Sequence, residues 1–290
     1  MNGIAESAVP RTISQYVKNA ILMMSRVLYF VIMYAWILII LPTIGTAYSS
    51  ITRICGLSDA NSHDLYDVFA SHSMYYFFGI KHSIERDAEP IENGFCLSNH
   101  RSFFDCILDA YVMKSSIIIR GMSIMVVPFL VLFTYATNVM LMINRGVDHR
   151  DAVYAKCADF LASSTELPSH RYRRRITFYP EGTRMSYTEL KSEDDLRSKL
   201  KFGLLRSIYE AKQYPVQISI SSNKDAVISE KWLSAQYGVT VRSVISKPIH
   251  PKDYTTIEAF FDEIIQTWYR CYHRTHDTTV VADSSDRLSI

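Results

Sequence analysis

The sequence predicts an α/β fold preceded by a hydrophobic helical segment. Beyond residue 90, short apolar runs suited to buried strands alternate with stretches whose apolar residues recur at helical spacing. Residues 27–46 carry no charge, and about twenty such residues are the length that a helix needs to cross a hydrocarbon core. Of the 290 residues 48% are apolar, which suffices for a substantial core, so a wholly disordered chain is excluded.

The apolar stretch 20–48 is interpreted as a retained membrane anchor, because it lacks the short core and small-residue cleavage site of a secretory signal. If it spans the bilayer, the basic residues favour a cytosolic N-terminus. They are Arg11, Lys18 and Arg26 before the uncharged residues 27–46 and Arg53 after them. Pro42 and Gly45 would permit a break, so a re-entrant or monotopic helical pair is the alternative.

A second uncharged stretch, residues 121–143, is also long enough to span a bilayer. We expect that it does not, because Pro128 interrupts it, polar residues dilute it, and its ends suit buried strands. A crossing here would also place the two polar motifs on either side of it on opposite faces of the membrane. They could then not share one active site.

The elements of the α/β core follow in chain order. The predicted strands are residues 94–98, 117–119, 139–143, 176–179, 216–221 and 239–245, and the predicted helices are 103–113, 151–163, 202–212 and 257–272. Ligands are expected at the carboxyl ends of the strands. We divide the chain into an anchoring segment (1–60), a folded domain (61–274) and a polar tail (275–290) that we expect to be disordered.

The charge balance and the cysteines exclude several classes of protein. Thirty-one basic residues nearly balance 29 acidic ones, so no strong field favours nucleic acid, and an anionic partner must meet a local patch. Five scattered cysteines form neither a CxxC pair nor an even framework, so we expect reduced, partly buried thiols. The glycine fingerprints of dinucleotide-binding and P-loop enzymes are absent, as is the GxSxG elbow of serine hydrolases.

The stretch NHRSFFD, residues 99–105, contains a candidate catalytic pair. A neutral imidazole can remove a proton from an alcohol when one ring nitrogen is free and an acceptor holds the other. His100 could be that base, and Asp105, in the first turn of a helix, could be the acceptor. Taken alone, the spacing favours the structural alternative, in which Asp105 caps the helix and His100 is a solvated histidine.

The stretch FYPEGTR, residues 178–184, offers several groups to an anion at the end of a predicted strand. Gly182 permits close backbone approach, Thr183 adds a hydroxyl, and Arg184 can make a bidentate contact with phosphate. The structural alternative is a tight turn with Arg184 paired to a surface carboxylate.

The two motifs together resemble the signature of the glycerolipid acyltransferases, an NHxxxxD block followed by an FPEGTR block; the lysophosphatidic acid acyltransferases are the closest type. Weaker similarities include Ile143-Asn144-Arg145, the KFG of residues 201–203 with the YPV of residues 214–216, and the SKPI of residues 246–249. The likeness spans about residues 91–272. It implies a mixed β-sheet flanked by helices.

The resemblance also implies roles for single residues. His100 would be the general base and Asp105 its partner, Arg145 a phosphate or positioning contact, and Glu181, Gly182, Thr183 and Arg184 the acceptor-phosphate site. The reaction would move a fatty acyl group from acyl-CoA, a substrate, to a lysophospholipid hydroxyl, with 1-acylglycerol 3-phosphate expected as acceptor. Neither a metal nor a bound cofactor is required, and membrane lipid is the expected surrounding, in the endoplasmic reticulum by analogy with eukaryotic relatives.

Several alternatives stay open at the level of sequence. The acceptor could be another lysophospholipid or glycerol 3-phosphate, or the chain could be a membrane-anchored lipid-binding protein without turnover. Tyr179 replaces the usual Phe, Val131 a common Gly and Asn144 a common Asp, which blurs the acceptor assignment. The arginines at 171 and 173–175 could hold anionic headgroups or lie in a solvated loop. Metal binding by His100, Asp105, His149 and Asp151 is not excluded, and the oligomeric state is not predicted.

Overall fold

The computed structural model begins with a nearly continuous helical segment. Helix α1 (Ile13–Ala35) passes through a π-helical turn (Trp36–Ile40) into α2 (Leu41–Ile54). By length and composition α1 could cross a membrane, and most of its side chains are exposed. The structure describes residues 13–55, 60–120, 129, 131–132, 139–144, 149–163, 174–184, 190–229 and 231–276.

The break expected at Pro42 takes the form of the π-helical turn. A proline lacks the N–H that would bond four residues back, and its ring crowds that carbonyl, so a widened turn accommodates it without ending the helix. The Thr43 hydroxyl donates to the carbonyl of Ile39 (2.5 Å) and gives that oxygen a partner. The helical segment therefore continues past this point to Ile54.

The folded part contains seven further helices and nine strands among the described residues. The helices are α3 (Ala60–Ser71), α4 (Asp105–Met113), α5 (Arg150–Ser163), α6 (Glu193–Lys199), α7 (Gly203–Ala211), α8 (Lys224–Val227) and α9 (Ile257–His276). The strands are β1 (Lys81–Arg86), β2 (Gly94–Ser98), β3 (Ser116–Arg120), β4 (Met140–Ile143), β5 (Arg175–Phe178), β6 (Val216–Ser221), β7 (Ile228–Ser229), β8 (Ser234–Ala235) and β9 (Thr240–Ile245).

Seven strands form one mixed sheet in the order β1-β9-β6-β2-β5-β3-β4, while β7 and β8 form a separate hairpin. The strands β6, β2, β5, β3 and β4 are parallel to one another, β9 is antiparallel to β6, and β1 is parallel to β9. The predicted mixed sheet flanked by helices is confirmed. The parallel strands bring the segments after β2, β5 and β6 to one edge.

Each face of the sheet packs against its own hydrophobic core. The anchor face is covered by α1, α3, α4 and the β7–β8 hairpin, whose core residues include Phe30, Phe69 and Leu108. The opposite face is covered by α5, α6, α7 and α9, with Phe260 and Trp268 in its core. Along β2, Cys96 belongs to the anchor-face core while Phe95 and Leu97 belong to the other, as the two-residue period of a strand requires.

The second uncharged stretch does not separate the two polar motifs. Strands β3 and β4, which flank it, pair in parallel from Ile117 opposite Met140 to Arg120 opposite Ile143, so the chain between them returns to the same sheet. The strands on both sides of the stretch thus belong to one sheet, and the expectation for the stretch itself concerns residues most of which (121–138) lie outside the described residues. The predicted polar tail also lies outside them, apart from Thr275 and His276, which extend α9 beyond the predicted domain end.

Candidate active site

The candidate site lies where three adjacent strands end. The NHRSFFD stretch follows β2, the YPEGTR stretch follows β5, and a third segment, residues 222–224, follows β6. Because β2 pairs with both β5 and β6 in parallel, all three segments emerge at the same edge. Polar groups therefore gather at the carboxyl ends of the strands, where the sequence leads us to expect a ligand.

Asp105 is held as an anion by four donors. His100 Nδ1 donates to Asp105 Oδ2 over 2.9 Å, and the same oxygen accepts the backbone N–H groups of Arg101 and Ser102. The Ser102 hydroxyl donates to Oδ1 over 3.2 Å. Burial alone would raise the pKa of the Asp105 carboxyl, but the positive charge of Lys224 and the bond from His100 outweigh it, so the pKa lies below its usual value.

The contact with Asp105 fixes the ring of His100. Because an ionised carboxylate only accepts, the neutral ring carries its proton on Nδ1 and its lone pair on Nε2. The ring stacks on that of Tyr179, with centroids 4.3 Å apart and planes 15° from parallel, and its side chain is 19% exposed. Within the described part of the chain, Nε2 has no hydrogen-bond partner. The ring is thus oriented, supported from one side and open to a small molecule.

Glu181 connects the second motif to the first. Its buried carboxylate accepts the backbone N–H of His100 over 2.5 Å, so it points toward the base and not outward to solvent. Gly182 follows with φ +74°, a left-handed conformation, and an added Cβ would come within 2.8 Å of Lys201 Nζ. Both facts favour glycine at this turn. Thr183 and Arg184 are exposed, and Arg184 interacts electrostatically with Cys106 in the first turn of α4.

Of the other arginines singled out in the sequence, some lie outside the described residues and one has a structural role. Arg145, Arg171 and Arg173 lie outside the described residues. Arg175 begins β5, and its guanidinium donates to the backbone carbonyls of Ile91 and Met113. Arg175 therefore has a structural role. It belongs neither to a site for anionic headgroups nor to a solvated loop.

Lys224 is a site residue that the sequence analysis missed. It is fully buried, and its ammonium donates to both carboxylate oxygens of Asp109 (2.8 and 3.0 Å), to the Asn99 carbonyl (2.7 Å) and to the Ser98 hydroxyl (3.3 Å). Burial and the nearby Asp105 raise the pKa of Asp109 to about 6, although Lys224 opposes them. The available signal was the four-residue spacing of Asp105 and Asp109, which places two carboxylates on one face of α4.

Asn99 holds the end of β2 against β6. Its side-chain amide donates to the Ser221 carbonyl (2.9 Å), and its side-chain oxygen accepts the Ser221 N–H (3.0 Å). With Lys224 on its own carbonyl, Asn99 is fixed by three hydrogen bonds. The backbone that leads into His100 is therefore held in place by hydrogen bonds to Ser221 and to Lys224.

A cavity of about 270 Å³ opens beside the second motif, on the opposite face of the sheet. Its walls combine apolar side chains with two cations, Arg150 and Lys201, and include Tyr179 and Gly182. Arg150 is also paired with Asp151 and Glu210. Tyr179 thus lines the cavity and also stacks on the His100 ring.

The other reactive side chains offer different chemistry. Burial raises the pKa of the Cys96 and Cys106 thiols to about 12, so neither is a thiolate near neutral pH. No group of three His, Cys, Asp or Glu side chains that could hold a metal ion occurs within the described ranges. The groups that converge at the strand ends are an imidazole, the carboxylate bonded to it and an exposed arginine.

Comparison with known proteins concerns the family and the fold. A family model described as Acyltransferase matches residues 79–221, which include both motifs. The fold is similar to that of the 1-acyl-sn-glycerophosphate (LPA) acyltransferase PlsC from Thermotoga maritima, with a TM-score of 0.64 and 14% identity over 95% of this chain and 99% of that chain. No curated protein matches the sequence significantly. The family match and the similarity of fold support the resemblance to the glycerolipid acyltransferases that the two ordered motifs indicate.

Proposed function

We propose that this acyltransferase moves a fatty acyl group from acyl-CoA to the free hydroxyl of a lysophospholipid, with 1-acylglycerol 3-phosphate as acceptor and phosphatidic acid as product. The observation that carries the proposal is the pairing of His100 with Asp105 beside the motif that bears Arg184. PlsC, which has the same fold, is named for 1-acyl-sn-glycerophosphate, and that name supports the choice of acceptor.

His100 acts as the general base in this proposal. Nε2 accepts the proton of the acceptor hydroxyl while the oxygen attacks the thioester carbonyl, and the Asp105 carboxylate stabilises the imidazolium that forms. The tetrahedral intermediate then expels the CoA sulfur as the carbon–sulfur bond breaks, and Nε2 returns its proton to that sulfur. The chemistry needs no covalent enzyme intermediate.

Arg184 recognises the acceptor phosphate. It is exposed on the His100 side of the turn, and its planar guanidinium suits a bidentate contact with phosphate. Gly182 and Thr183 line the approach. In this scheme Glu181 holds the His100 backbone by accepting its N–H. It does not bind the phosphate, since a carboxylate repels phosphate. Arg145 stays the predicted second cation for the acceptor.

The N-terminal helix attaches the domain to a membrane, where lysophospholipids reside. α1 meets the length and apolar composition of a spanning helix and exposes most of its side chains. The endoplasmic reticulum stays a prediction by analogy.

An acceptor panel tests the proposal. Purified full-length protein in detergent is incubated with labelled acyl-CoA and, separately, with 1-acylglycerol 3-phosphate, two lysophospholipids with larger headgroups, and glycerol 3-phosphate. We expect the fastest transfer to 1-acylglycerol 3-phosphate. Faster transfer to another acceptor would replace the acceptor assignment, and binding of lysolipid without turnover on any acceptor would make the chain a lipid-binding protein.

A further inference from the structure

Exposed apolar side chains are concentrated on one side of the molecule. Outside the anchor helices, the large exposed apolar residues of the described ranges are Val68, Tyr75, Tyr76, Phe129, Leu132, Met142, Trp232, Leu233 and Tyr237. Except for Met142 on the edge strand β4, they lie in or beside elements that pack against the anchor-face core. None lies on α5, α6, α7 or α9, which cover the opposite face.

The β7–β8 hairpin carries two adjacent exposed apolar residues of this surface. Trp232 is 71% exposed and Leu233 56% exposed, and Leu233 has a positive φ of 46°, which L side chains rarely adopt. The Lys231 ammonium lies 5.3 Å from the Trp232 ring centroid. A tryptophan, an aliphatic residue and a lysine at one tip match the chemistry of a bilayer interface, where indoles lie at headgroup depth and cations meet anionic lipid.

The tip is continuous with the N-terminal helix. Strand β8 packs directly on α1. The Tyr237 ring lies against Gly79, where an added Cβ would come within 2.3 Å of it, and its hydroxyl interacts with that of Tyr29 on α1. On either side of Tyr29, Leu28 and Ile32 are exposed. The apolar surface therefore runs from α1 through Tyr237 to the hairpin.

The hairpin is also connected to the candidate site. The short helix α8 begins at the buried Lys224 and leads directly into β7. A hairpin held at a fixed depth would thus set the position of the strand ends relative to that surface.

We propose that Lys231, Trp232, Leu233 and Tyr237 form an interfacial patch that docks on an anionic phospholipid bilayer, as a second contact beside α1. The patch holds the candidate site toward the lipid surface. This inference rests on the membrane attachment in the proposed function, but it concerns a different segment.

Tryptophan quenching tests the patch without an activity assay. The chain has three tryptophans, and in a Trp36→Phe background the two that remain are Trp232 and the fully buried Trp268. We measure the emission of this variant on phosphatidylcholine–phosphatidylglycerol vesicles with brominated acyl chains. Because only Trp232 can reach the lipid, we expect emission to fall by about half, with no fall in the control variant Trp36→Phe/Trp232→Phe.

Each other outcome overturns the proposal in a recognisable way. Protein that pellets with vesicles but keeps its emission would show that α1 attaches the chain and the hairpin does not. Protein that does not pellet would overturn membrane attachment altogether. If Trp232→Ser/Leu233→Ser converts a dimer to a monomer in detergent, the patch is a contact between two copies.

A rate comparison separates docking from folding. Trp232→Ser/Leu233→Ser should lower transfer to a vesicle-borne acceptor about tenfold, because membrane affinity follows the apolar area buried. Transfer to a short-chain, water-soluble acceptor should not change, and the conservative variant Trp232→Phe/Leu233→Met should keep both rates. An equal loss on both acceptors would overturn the role in docking.

Discussion

The two faces of the central sheet differ in chemistry although they share the same strands. Toward the opposite face the strands present apolar side chains, among them Leu97, Ile176 and Ile218. Toward the anchor face β3 and β9 also present apolar residues such as Ile117 and Val241, but β2, β5 and β6 present buried serines and a threonine. His82 Nε2 lies 2.8 Å from the Ser243 hydroxyl, which lies 2.7 Å from that of Ser221, and Ser221 holds Asn99.

The outer surfaces of the two layers of helices show the opposite pattern: the surface of the opposite face is charged, and that of the anchor face is more apolar. On the opposite face α9 and α6 are linked by the exposed ion pair of Arg197 with Asp262, and α9 carries the pair of Arg270 with Glu263. On the anchor face the exterior includes exposed tyrosines and the hairpin tip. The face with the polar interior has the apolar exterior. A sheet packed this way can hold polar chemistry at its strand ends next to an apolar surface, while each face keeps a hydrophobic core.

The largest effect should follow replacement of the base on the anchor face. His100→Ala is expected to lower acyl transfer by about 10²- to 10⁴-fold with little change in unfolding midpoint, because it removes proton transfer and leaves the core intact. His273→Ala on α9 is the matched control and should keep full activity. Transfer at the wild-type rate by His100→Ala would contradict the mechanism.

A buried charge on the anchor face should matter more than an exposed one on the other. Lys224→Met leaves the buried Asp109 carboxylate without its cation and should lower the free energy of unfolding by about 3–5 kcal/mol in chemical denaturation. Lys199→Met, which loses a partly exposed partner in Asp195, should cost less than about 1 kcal/mol. Equal losses of unfolding free energy in the two variants would contradict this difference between a buried and an exposed charge.

A double variant separates the contribution of Lys224 to stability from its electrostatic effect on Asp105. Lys224→Met/Asp109→Leu removes both charges and should recover much of the stability. Its turnover should stay low and its pH profile should shift, because Asn99 and Asp105 still lack the ammonium group. Recovery of wild-type turnover and pH profile would restrict Lys224 to a purely structural role.

Acid should weaken the hydrogen-bonded row of His82, Ser243 and Ser221 on the anchor face before it affects the apolar packing of the opposite face. Burial and the nearby Arg86 lower the pKa of His82 to about 4, so the neutral ring is favoured in the folded state. The stability from this residue is present above about pH 6.5 and is lost as the pH falls through 4, with a total of up to about 3 kcal/mol. His82→Gln should flatten the pH dependence of the unfolding free energy in that window, and an unchanged slope would contradict this.

The smallest effect concerns acceptor recognition. Arg184→Gln should raise the KM for 1-acylglycerol 3-phosphate about tenfold and leave the KM for acyl-CoA unchanged, since one phosphate contact is lost. The control Arg197→Gln, on the opposite face, should change neither. An equal rise in both KM values would count against the acceptor-phosphate assignment.

Local pattern was enough to predict the elements with apolar periodicity. All six predicted strands and all four predicted helices are present, and Gly182 has the left-handed conformation that its motif suggested. Strand β1, KHSIER, was missed because it is a polar edge strand, and α6 because its seven residues are mostly charged. Such segments owe their conformation to pairing and capping and not to an apolar period.

The site was predictable only where its residues are close in sequence. His100 and Asp105 are five residues apart, and their spacing could be interpreted in one stretch. Lys224 lies 115 residues from Asp109 in a stretch that reads as a solvated loop, and only the neighbouring positions of β2 and β6 bring them together. The same holds for Glu181, whose direction toward the His100 amide follows from the pairing of β2 with β5.

The position of β5 has a consequence for the order in which the chain can fold. Strands β2 and β3 are consecutive in sequence but not neighbours, because β5 inserts between them and carries the second motif. During synthesis the first motif therefore emerges into an incomplete sheet, with its central place empty. The amide of His100 cannot meet Glu181 until that strand arrives. A truncated chain that ends before β5 has the histidine and the aspartate but no assembled site, so a nascent enzyme stays inactive until its sheet closes.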